Sequence, residues 1–146
     1  MPTFVIGKNE LATTLQAVAS GSNRLALAPI LGSNLPLAPP AAACHIDDVA
    51  FVHIAALDPK IGGNQNFGLN YNGVKGVVWD DALDIVKKHF PKEVENGVFP
   101  LGASTPSVPS SFDASKTEQV FGFKHKNFEE MVISLAGHYA AIAAKA

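Results

Sequence analysis

Thr3-Phe4-Val5-Ile6 is a short apolar run that starts almost at the first residue and stops at Gly7, the pattern of a strand. A strand alone is unstable in water, so this one must join a sheet. Ala41 to Ile46 reads as a second, buried strand. Asp47 and Asp48 then stand where a helix would begin, since a carboxylate there accepts a free backbone N–H and faces the positive end of the helix dipole. From Val49 to Leu57 the one polar side chain is His53. A helix apolar on nearly every face must be covered on nearly every face. The pattern therefore predicts this strand–helix unit at the centre of the molecule.

Other segments follow the same logic. Asn9 to Ala19 has leucines and alanines at helical spacing, with Asn9 as cap and Gly21 as stop. Arg24 to Ile30 leads into an apolar stretch, Leu31 to Pro40, that Pro36, Pro39 and Pro40 keep stiff and non-helical. That stretch is expected to cover a pocket or simply the core. Asp58 to Gly63 is a turn cluster, and Asn66 to Tyr71 reads as a strand. Val77 to Phe90 is an amphipathic helix presenting Val78, Ala82, Leu83, Val86 and Phe90, and Pro91 ends it. Val98–Phe99 reads as a short strand, Gly102 to Ser111 as a loop, and Asp113 as the cap of a short helix to Val120. Asn127 and Glu130 have capping-box spacing, and the helix after them buries Phe128, Met131, Val132, Leu135, Tyr139 and Ile142. No repeat and no domain boundary interrupts residues 1–146, so one domain is expected. The fold class is α/β: a small mixed sheet with about four helices.

Composition narrows the partners. The 146 residues are 47% hydrophobic and 16% charged, enough for a real core and too apolar for disorder. A formal net charge of −2 gives no electrostatic case for nucleic acid or an acidic membrane. No apolar run has the length of a membrane span, and the first residues lack a signal-peptide pattern, so a cytoplasmic location is expected. Cys44 is the one cysteine, which excludes an internal disulfide and a cysteine-based zinc site. A surface so poor in charge points to burial in an oligomer.

Candidate chemistry is concentrated around the predicted strand–helix turn. There is no glycine-rich dinucleotide fingerprint, no Walker loop and no nucleophile elbow. His45 stands beside Asp47 and Asp48, and an imidazole next to a carboxylate can act as a general base. The plainer alternative makes the aspartates helix caps and His53 a hydrogen-bonded core histidine. A metal site from the two histidines and a carboxylate is disfavoured, since eight positions separate the histidines and no third ligand is evident. Tyr71, at the end of a predicted strand, is a second proton donor, or else a packing residue with a wet hydroxyl. His125, between Lys124 and Lys126, reads as an exposed basic turn.

Three stretches together resemble the extended short-chain dehydrogenases/reductases. Pro2-Thr3-Phe4-Val5-Ile6-Gly7 resembles the strand and turn after that family's catalytic segment, with Lys8 where a proline is usual. His45-Ile46-Asp47-Asp48-Val49-Ala50 with His53 resembles its His-x-Asp-Asp-Val-Ala helix start. Phe112-Asp113-Ala114-Ser115-Lys116 and Val120-Phe121-Gly122-Phe123-Lys124 resemble its late segment. Dihydroflavonol reductase-like and fungal methylglyoxal or carbonyl reductase-like members are the closest in pattern. The resemblance implies a truncated, C-terminal substrate domain, without the glycine-rich nucleotide loop and the Ser…Tyr-x-x-x-Lys set. It implies no cofactor for this chain alone, and a substrate side built from Phe4, Ile6, Leu37, Pro40, Cys44, Leu101 and Phe112.

Three functions are compatible with that resemblance. One is a cofactor-independent isomerase, dehydratase or cyclase acting on a carbonyl or polyketide-like compound, with His45, Asp47, Asp48 and Tyr71 as acid–base groups. The second is a binding or accessory protein with the same pocket. The third is a fragment of an NADPH-dependent carbonyl reductase that needs an N-terminal half. A homodimer is expected in each case, because Thr3–Ile6 would otherwise keep an unpaired edge. Leaving two of its apolar side chains uncovered would cost on the order of 3–6 kcal/mol.

Overall fold

The computed structural model describes residues 1–73 and 75–145. Among them lie two strands and seven helices: β1 (Phe4–Ile6), α1 (Leu15–Val18), α2 (Asn23–Ile30), β2 (Ala43–His45), α3 (Ile46–Ala55), α4 (Asp81–His89), α5 (Pro91–Glu95), α6 (Ser115–Phe121) and α7 (Phe128–Ala143). The α/β class stands. The sheet is a parallel pair rather than mixed, with Phe4, Val5 and Ile6 opposite Ala43, Cys44 and His45. Asn66–Tyr71 forms no full strand. Leu69 makes an isolated parallel bridge to Pro2, and the Tyr71 N–H donates to the Ala43 carbonyl at 2.8 Å. Val98–Phe99 is not a strand either; Phe99 is buried with its ring beside Phe90 and Tyr139.

The central element is α7. It contacts α1, α2, α4, β1 and β2, and buries Phe128, Met131, Val132, Leu135 and Ala136. Its capping box forms as the sequence requires: the Asn127 side chain accepts the Glu130 N–H, and Glu130 accepts the Asn127 N–H. Trp79, the single tryptophan, is fully buried and stands edge-on to Phe4 and Phe128, at 6.2 and 5.7 Å between ring centres. Its indole N–H donates to the Pro40 carbonyl.

The strand–helix unit is only half central. β2 is wholly buried, but α3 buries only Asp48 and Val52. Phe51, Ile54 and Leu57 are exposed, and so is His53, whose Nδ1–H donates to the Val49 carbonyl one turn back. The expectation of an enclosed α3 is therefore wrong: α7 and α2 fill the interior that α3 was expected to occupy. The first predicted helix shrinks to α1, which Thr14 caps by accepting the Ala17 N–H; Asn9 instead accepts the Leu11 N–H in a turn. The proline stretch before β2 runs over the surface with Pro39 its one buried residue from 32 to 40. Gly76 has φ +67° and lies so close to the Ala41 carbonyl that any side chain would overlap it. No helix among the described residues is long and apolar enough to cross a membrane.

Candidate functional site

His45 ends β2 and caps α3. Its Nδ1 accepts the Asp47 backbone N–H at 3.0 Å, so the cap is the imidazole and not an aspartate. An Nδ1 that accepts has no proton, which leaves the neutral ring with its hydrogen on Nε2. Burial also holds the His45 pKa below its ordinary value, against the opposing pull of Asp47. The 3.5 Å approach of Asp47 Oδ2 to the same nitrogen is thus a near contact rather than a charged pair. Nε2 faces the Gly7 backbone, where an added Cβ would stand 3.4 Å from it. His45 is set up as a hydrogen-bond donor at Nε2, and its basic nitrogen is already occupied.

The two aspartates fasten α3 to the segment before α7. Asp48 is buried and accepts the Lys126 N–H at 2.9 Å; burial pushes its carboxyl above the usual range. Asp47 accepts from the Lys126 ammonium at 2.7 Å, which holds its own pKa down. His125 is not an exposed turn. It is buried, and its backbone N–H and Nδ1 both meet Glu118 Oε1, while Lys124 takes the other oxygen. Lys126 joins Asp47 and Asp48 across almost eighty residues, a pairing the sequence does not show, whereas His125 and Glu118 meet across seven residues at the end of α6.

A groove of about 380 Å³ brings together Phe4, Pro40 and Phe112 with Pro2, Thr3, Ala42, Ser110 and Ser111. The Phe112 ring fills the place where Gly68 would carry a side chain. Three of the seven residues expected on the substrate side thus share one cleft. Ile6 and Cys44 are fully buried, and burial pushes the Cys44 thiol up to about 11. Leu37 is 78% exposed. Leu101 is half-buried with φ +57°, its N–H donating to the Ile30 carbonyl.

Tyr71 lies elsewhere, in a second groove of about 710 Å³ with Lys75, Lys88 and Phe128. Tyr71 and Lys75 have the Tyr-x-x-x-Lys spacing that was expected to be absent. Here a turn carries them, with φ +63° at Asn72 and +42° at Gly73, so they do not project from one helix face. Among the described residues no group of three or more histidine, cysteine or carboxylate side chains is placed to hold a metal ion.

By sequence and fold the chain corresponds to part of an extended short-chain dehydrogenase/reductase. It is 39% identical over 147 residues to ketoreductase CTB6 of Cercospora nicotianae, covering 99% of this chain and 41% of that protein. It is 34% identical over 149 residues to the NAD-dependent epimerase/dehydratase ALT6 of Alternaria alternata, covering 92% of this chain and 40% of that one. Among solved structures, Gre2 from Candida albicans matches with a TM-score of 0.72 at 18% identity, over 97% of this chain and 43% of its own. Yeast methylglyoxal/isovaleraldehyde reductase Gre2, complexed with NADPH, matches at 0.68 and 21%, over 98% and 45%. The chain thus spans about two fifths of the curated relatives it matches. No family model matches it.

Three of the helix starts are unsuited to a pyrophosphate. A pyrophosphate is held by free N–H groups at a glycine-rich helix start. Here α3, α4 and α7 open on carboxylates: Asp47 and Asp48, Asp81 and Asp84, Glu129 and Glu130. Negative charge at those ends repels a phosphate.

Proposed function

We propose that this chain is the substrate-side portion of a carbonyl reductase, acting with a nucleotide-binding portion that supplies the cofactor. The observation that carries this reading is the Phe4–Pro40–Phe112 groove. Two aromatic rings and a proline receive the apolar body of a ketone, and the hydroxyls of Ser110 and Ser111 provide polar contact at its rim. The groove touches Pro2 and Thr3, in the stretch that resembles the strand after the family's catalytic segment.

Trp79 makes the test direct. It contacts Phe4 and donates to Pro40, so an occupant of the groove perturbs the emission of the one tryptophan. Small aromatic and aliphatic ketones titrated into the chain should change that emission saturably, without nucleotide. Reduction should appear only when the nucleotide-binding portion of a fungal ketoreductase and NADPH are added. No saturable response, and no reduction in the mixture, would sink the reading.

A second reading is a cofactor-independent isomerase, dehydratase or cyclase working on the same class of carbonyl or polyketide-like compound. It is favoured by His45, a buried neutral imidazole with its proton on Nε2, since such a donor polarises a carbonyl without any cofactor. Asp47 and Asp48 are the carboxylates of this reading, whereas Tyr71 lies in a separate groove. Turnover by the chain alone, lost in His45→Gln, would establish it over the first.

A further inference from the structure

The two walls of the Phe4–Pro40–Phe112 groove come from distant stretches of chain. Thr3 and Phe4 stand at the start of β1, and Ser110, Ser111 and Phe112 belong to the loop before α6. That loop is pinned at both ends. Val108 donates its N–H to the Pro39 carbonyl at 3.0 Å and accepts the Ala41 N–H at 2.7 Å, while Asp113 accepts the Ser115 N–H where α6 begins. Between them, from Pro109 to Phe112, the shortest hydrogen bond among the described residues is one from a side chain. The Asn70 carboxamide donates to the Phe112 carbonyl at 2.9 Å, whereas the Phe112 N–H reaches the Gly73 carbonyl at 3.4 Å.

Asn70 is 3% exposed, and both ends of its amide are engaged. Nδ2 donates to Phe112 and, at 3.4 Å, to the Gly73 carbonyl; Oδ1 faces the Thr3 hydroxyl at 3.2 Å. These partners fix which end is nitrogen, since the reverse would set an oxygen against two carbonyl oxygens. Thr3 divides its single proton between Oδ1 and the Leu69 carbonyl, 3.0 Å away. Leu69 and Tyr71, on either side, donate their N–H groups to the Met1 and Ala43 carbonyls, so the segment carrying Asn70 is held to the start of the chain and to β2. We infer, taking the groove as the ketone site proposed above, that Asn70 is a positioning residue: its carboxamide links Thr3 to the Phe112 carbonyl and so sets the spacing of the Phe4 and Phe112 walls. Asn70 does not line the groove, so it acts through Thr3 and Phe112 and touches no substrate. The ketones that depend on it are rigid ones. A ring needs both walls at one spacing, whereas a flexible chain adapts to a wider cleft.

Cyclohexanone and methyl butyl ketone, equal in carbon number, test this when titrated into the full chain and read by Trp79 emission. Asn70→Asp keeps the side-chain shape and an acceptor for Thr3, but has no amide hydrogens for the Phe112 and Gly73 carbonyls. Asn70→Ser removes both ends of the link. Each should weaken cyclohexanone binding by about tenfold, the effect of one lost hydrogen bond, and methyl butyl ketone binding much less, in chains with the parent's circular dichroism spectrum. If the buried carboxylate unfolds Asn70→Asp, Asn70→Ser decides alone. Val18→Ala opens a cavity in α1, which packs on α7 and not on the groove; it should lower stability and leave the ratio of the two affinities at the parent value. A ratio unchanged in the Asn70 variants, or shifted equally in Val18→Ala, would overturn the role of Asn70 and leave the groove as the ketone site. So would a folded Asn70→Asp that matches the parent while Asn70→Ser does not, since that pattern makes Asn70 a space-filler. A parent chain that answers to neither ketone would instead remove the ketone site itself, and the role of Asn70 with it.

Discussion

The Nδ1 of His45 accepts the backbone N–H of Asp47 at 3.0 Å, so one imidazole ends a strand, caps a helix and gives up its basic site to do both. Removing the ring should therefore act on stability first. His45→Ala loses a cap worth about 1 kcal/mol and leaves a hole in a buried position, for a total of roughly 2–3 kcal/mol. His45→Asn offers an amide oxygen to the same N–H and should recover about half of that loss. Urea denaturation of the two variants checks the difference; equal loss in both would remove the cap from the account.

The same residue sets a pH dependence. Burial lowers the folded pKa of His45 below the unfolded value of about 6.5. Between those two values the unfolded chain binds more protons, so stability falls as pH drops from about 6.5 toward the folded pKa. His45→Asn should flatten that part of the stability profile. Asp48 has the opposite sign. Its folded pKa is raised by burial, so its contribution is full below the unfolded carboxylate value and declines as pH rises through the raised one. Asp48→Asn keeps an acceptor for the Lys126 N–H without the buried charge. It should match or exceed the parent in stability at neutral pH, whereas Asp48→Ala should cost about 1–3 kcal/mol by orphaning that N–H.

How much of this was legible depends on whether a partner lay nearby in sequence. The α7 capping box and most of its apolar face needed only residues 127–142 and formed as read, with Tyr139 and Ile142 only half-buried. The parallel pairing of Thr3–Ile6 with the strand before α3 was visible as two apolar runs, though its direction was not. Apolar residues in α3 looked like a buried helix, yet the space inside was already filled by α2, α4 and α7, which hydrophobicity alone cannot reveal. His125 looked exposed between two lysines because its acceptor, Glu118, sits a turn and a helix end away. Of the substrate side that the resemblance implied, Phe4, Pro40 and Phe112 converge, whereas Ile6 and Cys44 are fully buried in the core.

Gly76 is the position least able to change. Its φ of +67° disfavours any side chain, and a Cβ would overlap the Ala41 carbonyl, which already accepts the Val77 N–H at 2.9 Å. Gly76→Ala should cost on the order of 2–4 kcal/mol, combining backbone strain with displacement of the segment before β2. A thermal midpoint within a degree or two of the parent's would show that this approach relaxes freely.

Gly68 offers the sharpest test of the groove, because its contact with Phe112 is one-sided. A Cβ at Gly68 would come within 2.6 Å of the Phe112 ring, whereas the ring is half-exposed and free to swing aside. Gly68→Ala should therefore push Phe112 out of the position it holds beside Phe4 and Pro40, at about 1–2 kcal/mol in stability. Phe112→Leu removes the aromatic wall without the push and should leave stability nearly unchanged. Both variants should weaken ketone binding read by Trp79 emission, by roughly tenfold for a lost contact worth about 1.4 kcal/mol. In the reconstituted reductase the same loss should raise KM with little change in kcat, as expected for a wall that holds ground state and transition state alike. Ketone affinity and KM untouched by both substitutions would place the substrate outside this groove and move the search to the Tyr71–Lys75 cleft.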